Sequence, residues 1–283
     1  MQELGTVSFI LVTGFQCLRY GPSLGAEYTN HVAKEGPPHI PSHSGQRLRG
    51  PGNGTGHLMP NPASVSAELS KLRVAIVHYW FVGRAGGERV VEALAEIFPQ
   101  ADLFSLIADR STLAPILQDR KLQTSFLQRF PGAKRFYRQY LLLQPLALEQ
   151  FDLSNYDLVI SSESGPAKGV ITSPKTCHIC YCHSPMRYIW DMYPEYKRGM
   201  RFPARPAFSL TAHYLRLWDH ASASRVDYFV ANSRFIASRI RKCYGRESTV
   251  IHPPVEVSAG RLAAKQSDYY IAIGRLVAYK RFD

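Results

Sequence analysis

The pattern of apolar and polar positions changes character at Leu72. Before it, from Gly21 to about Ser66, glycine, proline, serine, asparagine and histidine crowd together, as in KEGPPHIPSHSGQRLRGPGNGTGHLMPNPAS, with neither a helical nor a strand period. Such a stretch cannot bury enough apolar surface to offset its ordering entropy, so residues 1–70 are expected to be a disordered extension or a misassigned start. From Leu72 the pattern is regular. LRVAIVHYW carries the continuous apolar run of a strand covered on both faces, GRAGGER follows as a glycine loop, and VVEALAEIF repeats at helical spacing.

That alternation continues. ADLFSLIA, YDLVISS, KTCHICYC, VDYFVANS and STVIHPP predict strands. KRFYRQYLLLQPLALEQF predicts a helix bent or broken near Pro145, FSLTAHYLRLWDHASAS a second, and SRFIASRIRKCYG a third that closes at Gly245. Strands alternating with helices imply an α/β domain, a doubly wound parallel sheet over residues 71–256, whose ligands bind beyond the carboxyl ends of the strands. Pro253 and Pro254 end the unit, residues 257–267 read as a polar linker, and SDYYIAIGRLVAYKRFD begins the first strand of a second domain, residues 268–283. The chain is therefore expected to be truncated.

Composition narrows the partners. Among 283 residues, 34 Lys and Arg against 22 Asp and Glu give a net charge of +12, which favours anionic ligands or surfaces. No apolar run is long enough to span a bilayer, and TVSFILVTGF lacks a basic flank and a cleavage site, so a cytoplasmic location is expected. The odd count of 5 cysteines fits free thiols. Basic residues mixed with aromatics in LQRFPGAKRFYRQYLLL and MYPEYKRGMRFPARP suit either ordinary solvated surface or peripheral contact with an anionic membrane. They are spread over several elements and accompany no nucleic-acid-binding module, so no nucleic-acid partner is expected.

CHICYCHSPMRYIWD invites a metal or dithiol reading, but on a strand Cys177 and Cys180 point to opposite faces. His178, Cys180 and Cys182 share one face without the further ligand and pocket that zinc needs, so buried thiols packing as hydrophobes are the expectation and no metal site is assigned. His183 falls where the strand ends. Ser184 suits an N-cap and Pro185 the first position of a short helix through Trp190, whose N–H groups would face the same edge. From position alone, His183 is either a ligand-binding imidazole or a satisfied structural one.

GRAGGERV, NYDLVISSESGPAKGVIT, HICYCHSPMRYIWDMY, DYFVANSRFIASRIRKCYGRESTVIHPPVE and IGRLVAYKRFD together resemble the amino-terminal half of a glycosyltransferase family 4 enzyme of the GT-B fold, nearest to bacterial mannosyltransferases of surface-polysaccharide biosynthesis. The resemblance implies retaining transfer from a nucleotide sugar, GDP-mannose first, to a saccharide or polyprenyl-linked acceptor, without cofactor or metal. It implies that His183 reaches the donor sugar as the catalytic residue. Gly86, Gly87 and Glu88 would form the acceptor or phosphate loop, Arg275 and Lys280 would clamp the donor diphosphate, and Arg187, Asn232 and Ser233 would line the cleft. Fixed cations at the diphosphate would meet the charge that develops there in the transition state. The family's second domain carries a paired-glutamate motif that this sequence does not show, so the chain alone is expected to be inactive. His252 stands where relatives commonly carry tyrosine. The alternatives are the same fold with a UDP-sugar donor, a noncatalytic fragment, and a dinucleotide-binding oxidoreductase, for which Gly83, Gly86 and Gly87 miss the G-x-G-x-x-G spacing although Asp109 lies at a suitable distance.

Overall fold

The computed structural model describes residues 68–255 and residue 270. The assignments to the extension before residue 68, to the linker and to the second domain, with Arg275 and Lys280, lie outside the described residues. Among residues 268–283 only Tyr270 is described, and it is exposed.

The elements in chain order are β1 (Val74–Phe81), α1 (Gly86–Ile97), β2 (Asp102–Ala108), α2 (Pro115–Gln118), β3 (Leu122–Thr124), α3 (Ala133–Phe136), α4 (Gln144–Glu149), β4 (Leu158–Glu163), β5 (Cys177–Cys182), α5 (Tyr193–Arg198), α6 (Arg205–Ser222), β6 (Tyr228–Ala231), α7 (Arg234–Tyr244) and β7 (Thr249–Val250). The strands form one sheet in the order β3-β2-β1-β4-β5-β6-β7, and every pairing is parallel. The domain is thus the doubly wound parallel sheet that the alternation predicts. Chain direction across the sheet reverses between β1 and β4, and a crevice at the carboxyl ends of those two strands is where this architecture receives ligands.

Strand alternation divides the core. Val74 and Ile76 of β1, Leu158 and Ile160 of β4, and Cys177, Ile179 and Tyr181 of β5 pack with Val91 and Leu94 of α1 on one face. Ala75, Val77 and Val159 face Ala147 and Leu148 of α4, while Cys180 and Cys182 face Ile236 and Ile240 of α7 on that same opposite side. The three strand thiols are buried and form no disulfide among the described residues, and they are divided between the faces as expected. α7 is capped at its start by Ser233, whose Oγ accepts from Ile236 N, and it ends at Gly245, where φ of +65° favours glycine.

Two local features sharpen the pattern. The break expected near Pro145 is present: KRFYRQYLLLQPLALEQF forms two short helices, α3 and α4, with a turn at Leu141–Leu143 between them. Pro145 lies in the first turn of α4, where its missing N–H costs nothing, so it starts a helix and does not bend one. β3, unannounced by the pattern, adds a three-residue edge beside β2.

Candidate functional site

The site grows from the carboxyl edge at the β1/β4 crevice. His78 interrupts an apolar strand and is fully buried on the α1 face. Its Nδ1 lies 3.0 Å from the Ser162 carbonyl oxygen, which can only accept, so Nδ1 donates. Nε2 is left without a hydrogen bond, 3.6 Å from Glu88 Oε1. Glu88 sits in the first turn of α1, and its Oε2 accepts from Ala85 N at 3.0 Å; alanine has no side-chain oxygen to return the second half of a capping box. Burial pushes the Glu88 carboxyl up, but His78 and the backbone N–H groups of Glu88 and Ala85 outweigh it and hold the pKa below the usual value.

His183 follows β5 directly. Its backbone N donates to the Glu163 carbonyl at 2.7 Å, and its own carbonyl accepts from Asn232 Nδ2 at 3.1 Å, so the edges of β4 and β6 fix it from both sides. Nε2 lies 2.9 Å from Ser162 Oγ, and Nδ1 has no hydrogen bond among the described residues. Burial first, then the neighbouring His78, lower its pKa to about 4 against a weak opposing pull from Glu88; at neutral pH the ring is uncharged. Gly87 brings α1 against this ring: a Cβ there would stand 3.2 Å from Tyr79 Oη, 3.4 Å from His78 Cε1 and 3.6 Å from His183 Nε2. Tyr79 Oη in turn accepts from Ser164 Oγ at 3.0 Å.

The structure therefore brings Gly87, Glu88, His183, Asn232 and Ser233 to one edge. Gly86 and Gly87 are the first residues of α1, not a loop, which corrects the reading of GRAGGER. Asn232 and Ser233 are joined to each other at 3.0 Å and act by holding His183 and capping α7. No helix forms over Ser184–Trp190, a second correction. Ser184 Oγ donates to the Pro185 carbonyl and no backbone N–H uses it as a cap, while Met186 and Ile189, both buried against α6, hold the segment in turns. Arg187 reaches Ser184 Oγ at 3.4 Å. His78, Tyr79, Ser162 and Ser164 were not foreseen; a histidine inside the run VAIVHYWF was the available signal.

A second polar cluster lies on the opposite face. Lys168, wholly buried, pairs with Asp219 and stands 3.7 Å from Glu163 Oε1. Asp219 Oδ2 also accepts from Trp190 Nε1 at 2.7 Å and Tyr244 Oη at 3.0 Å. Burial, joined by the Asp219 charge, raises the Glu163 carboxyl to about 7 against the pull of Lys168. His178, on this face, donates from Nδ1 to the Arg225 carbonyl and meets Ser161 Oγ through Nε2; burial lowers its pKa to about 4.

Among the described residues no three His, Cys, Asp or Glu side chains gather as a metal site. Asp109, the residue a dinucleotide ribose would need, is engaged by Ser111 and Lys134. A cavity of about 710 Å³ lies at the opposite, amino-terminal edge of the sheet, lined by residues such as Arg73, Asp102 and Lys121. Two of its three lining cations are already paired, Arg73 with Asp157 and Lys121 with Asp102, and the third, Lys71, is exposed, so the His183 edge is the better candidate for chemistry. The family model for Glycosyltransferase Family 4 matches residues 84–259, more than half of the chain and the whole of this edge beyond β1. No curated protein matches the chain.

Proposed function

The chain belongs to glycosyltransferase family 4, and on that premise we propose that it serves retaining transfer of mannose from GDP-mannose to a saccharide or polyprenyl-linked acceptor. The described domain holds the acceptor side, and Arg275 and Lys280 are assigned to the donor diphosphate. The observation that supports this most is the uncharged His183 ring at the crevice, with Nδ1 left for a ligand and no side chain at Gly87 to obstruct it.

The chemistry suits a neutral imidazole. A glycosyl centre gains positive charge as its bond to the leaving group breaks, so an imidazolium beside it would oppose the reaction. A neutral ring can hydrogen-bond a sugar hydroxyl at no such cost. The negative charge develops on the diphosphate, where fixed cations stabilise the transition state, so neither metal nor cofactor is required.

Ligand-detected NMR and nucleoside-diphosphate release test this with wild-type and His183→Ala protein. The ligands are GDP-mannose, UDP-glucose, UDP-N-acetylglucosamine and NAD, with a mannose-terminated oligosaccharide as acceptor. GDP-mannose is expected to bind the 283-residue chain and His183→Ala to weaken that binding by up to about tenfold with folding intact, while the chain alone releases no measurable GDP; release by the chain alone would refute its expected inactivity. Selection of a UDP-sugar would replace the donor; binding of NAD alone, or of no sugar ligand, would overturn the reading.

A further inference from the structure

The outward face of α6 carries no Lys, Arg, Asp or Glu. Its exposed residues include Pro206, Ala207, Leu210, Tyr214, Leu217 and Ala221, joined only by His213 and His220. Leu210 is 72% and Leu217 61% exposed, and Phe202, just before the helix, is 79% exposed. Spacings of four and three residues set Leu210, Tyr214 and Leu217 in one line. The inward face, with Phe208, Ala212 and Leu215, is already buried in the domain, so α6 is apolar on both sides. A surface helix in water normally shows a charged outer face.

The apolar surface extends beyond the helix. Leu141 packs against the cluster of Ala212 and Leu215, and Trp218 Nε1 donates to Glu149 Oε1 at 2.9 Å, so α4 and the turn before it lie alongside α6. Leu142 and Leu146 on that segment are 52% and 50% exposed. Basic residues accompany it. Arg129, Arg135, Arg138 and Arg201 are exposed and form no ion pair among the described residues; Arg135 and Arg138 rest over the rings of Phe136 and Tyr137. From Leu127 to Leu148 there is no acidic residue at all.

We propose that this face docks on an anionic lipid bilayer, with Phe202, Leu210, Leu217, Leu142 and Leu146 entering the headgroup boundary and the arginines meeting lipid phosphates. Charge decides the occupant: two copies face to face would oppose unpaired arginines, whereas an anionic membrane complements them. The helix lies on the membrane and does not cross it, since its other face is committed to the core and no helix among the described residues is apolar enough to span. α6 follows the carboxyl edge of β5 and returns to the start of β6, so its Phe202 end stands on the His183 side of the sheet. The inference does not depend on sugar transfer, because lipid binding is read without any sugar.

The test is flotation of the 283-residue chain with phosphatidylcholine vesicles, with and without phosphatidylglycerol, alongside sedimentation of the protein alone. Flotation is expected only with phosphatidylglycerol and should weaken as salt rises. The double variant Leu210→Asp/Leu217→Asp is expected to lower partitioning by about tenfold or more. Arg135→Gln, Arg138→Gln and Arg201→Gln should each lower it by up to about fivefold. Thermal melts confirm that each variant folds. Equal flotation with neutral vesicles, no flotation, or flotation that the double variant leaves unchanged would overturn the proposal. So would a concentration-dependent dimer abolished by the double variant, which would make the face a contact between copies.

Discussion

Ser162 and Glu163 are neighbours on β4, yet they open onto opposite faces of the sheet and onto two unlike polar clusters. Behind Glu163, one ammonium stands between two carboxylates, and indole and phenol donors close the remaining oxygen of Asp219. Behind Ser162 are two imidazoles, each with a ring nitrogen unused, and a glycine where a side chain would intrude. Both clusters are rich in titratable groups and each leaves one buried atom without a hydrogen bond, Glu163 Oε1 in one and His78 Nε2 in the other, but Glu163 Oε1 faces the Lys168 ammonium at 3.7 Å whereas the His183 ring keeps a nitrogen for a ligand. Buried charge alone does not mark a site; unused hydrogen-bonding atoms at a strand edge do.

The largest effect should come from Lys168→Met. Removing the ammonium leaves two carboxylates facing each other in a dry interior, at a cost of about 3–5 kcal/mol measured by urea unfolding. A variant as stable as the parent would mean that the Glu163 cluster is not structural.

Acid should have the next largest effect, with opposing contributions from within the Glu163 face. His178 has its pKa lowered to about 4, so below its ordinary value near 6.5 the unfolded chain takes up the proton first. Stability is then lost as pH falls from about 6.5 to about 4, by on the order of 3 kcal/mol from this residue. His183 acts in the same direction, more weakly because it is only partly buried. Glu163, raised to about 7, acts in the opposite direction: its contribution is present below the unfolded carboxyl value and lost as pH rises through 7. Glu163→Gln is therefore expected to steepen the acid loss in urea titrations at stepped pH, and an unchanged slope would contradict the raised carboxyl.

The smallest change in stability should accompany Gly87→Ala. Alanine favours the helix by about 0.5–1 kcal/mol, while its Cβ presses on Tyr79 and His78 at 3.2 and 3.4 Å. Unfolding free energy should move by less than about 1 kcal/mol while sugar-ligand binding falls clearly. Loss of both together would make the glycine a folding residue only.

Much of the fold was legible because covered parallel strands are continuous apolar runs, and β1, β4 and β5 are such runs. β3 was not, since LQT is short and its residues are half exposed or exposed. The position of His183 could be read because it ends a strand. Its orientation could not, because that depends on Ser162 and Asn232, which are distant in sequence. Ser184 and Pro185 carry the letters of a helix start, but Met186 and Ile189 gain more by docking on α6 than a short helix would return. Lys168 gave no warning: PAKGV looks like a loop, and only the fold shows that two carboxylates await it.

The peptide unit between Ser162 and Glu163 gives one carbonyl to the His78 ring on one side and, a residue later, another to the His183 amide. The imidazole pair thus hangs from main chain, whatever side chain stands at position 163. An engineer could replace the ionic plug beneath the strand with a well-fitted hydrocarbon set, harden the domain against heat, and leave the imidazole pair's tether uncut.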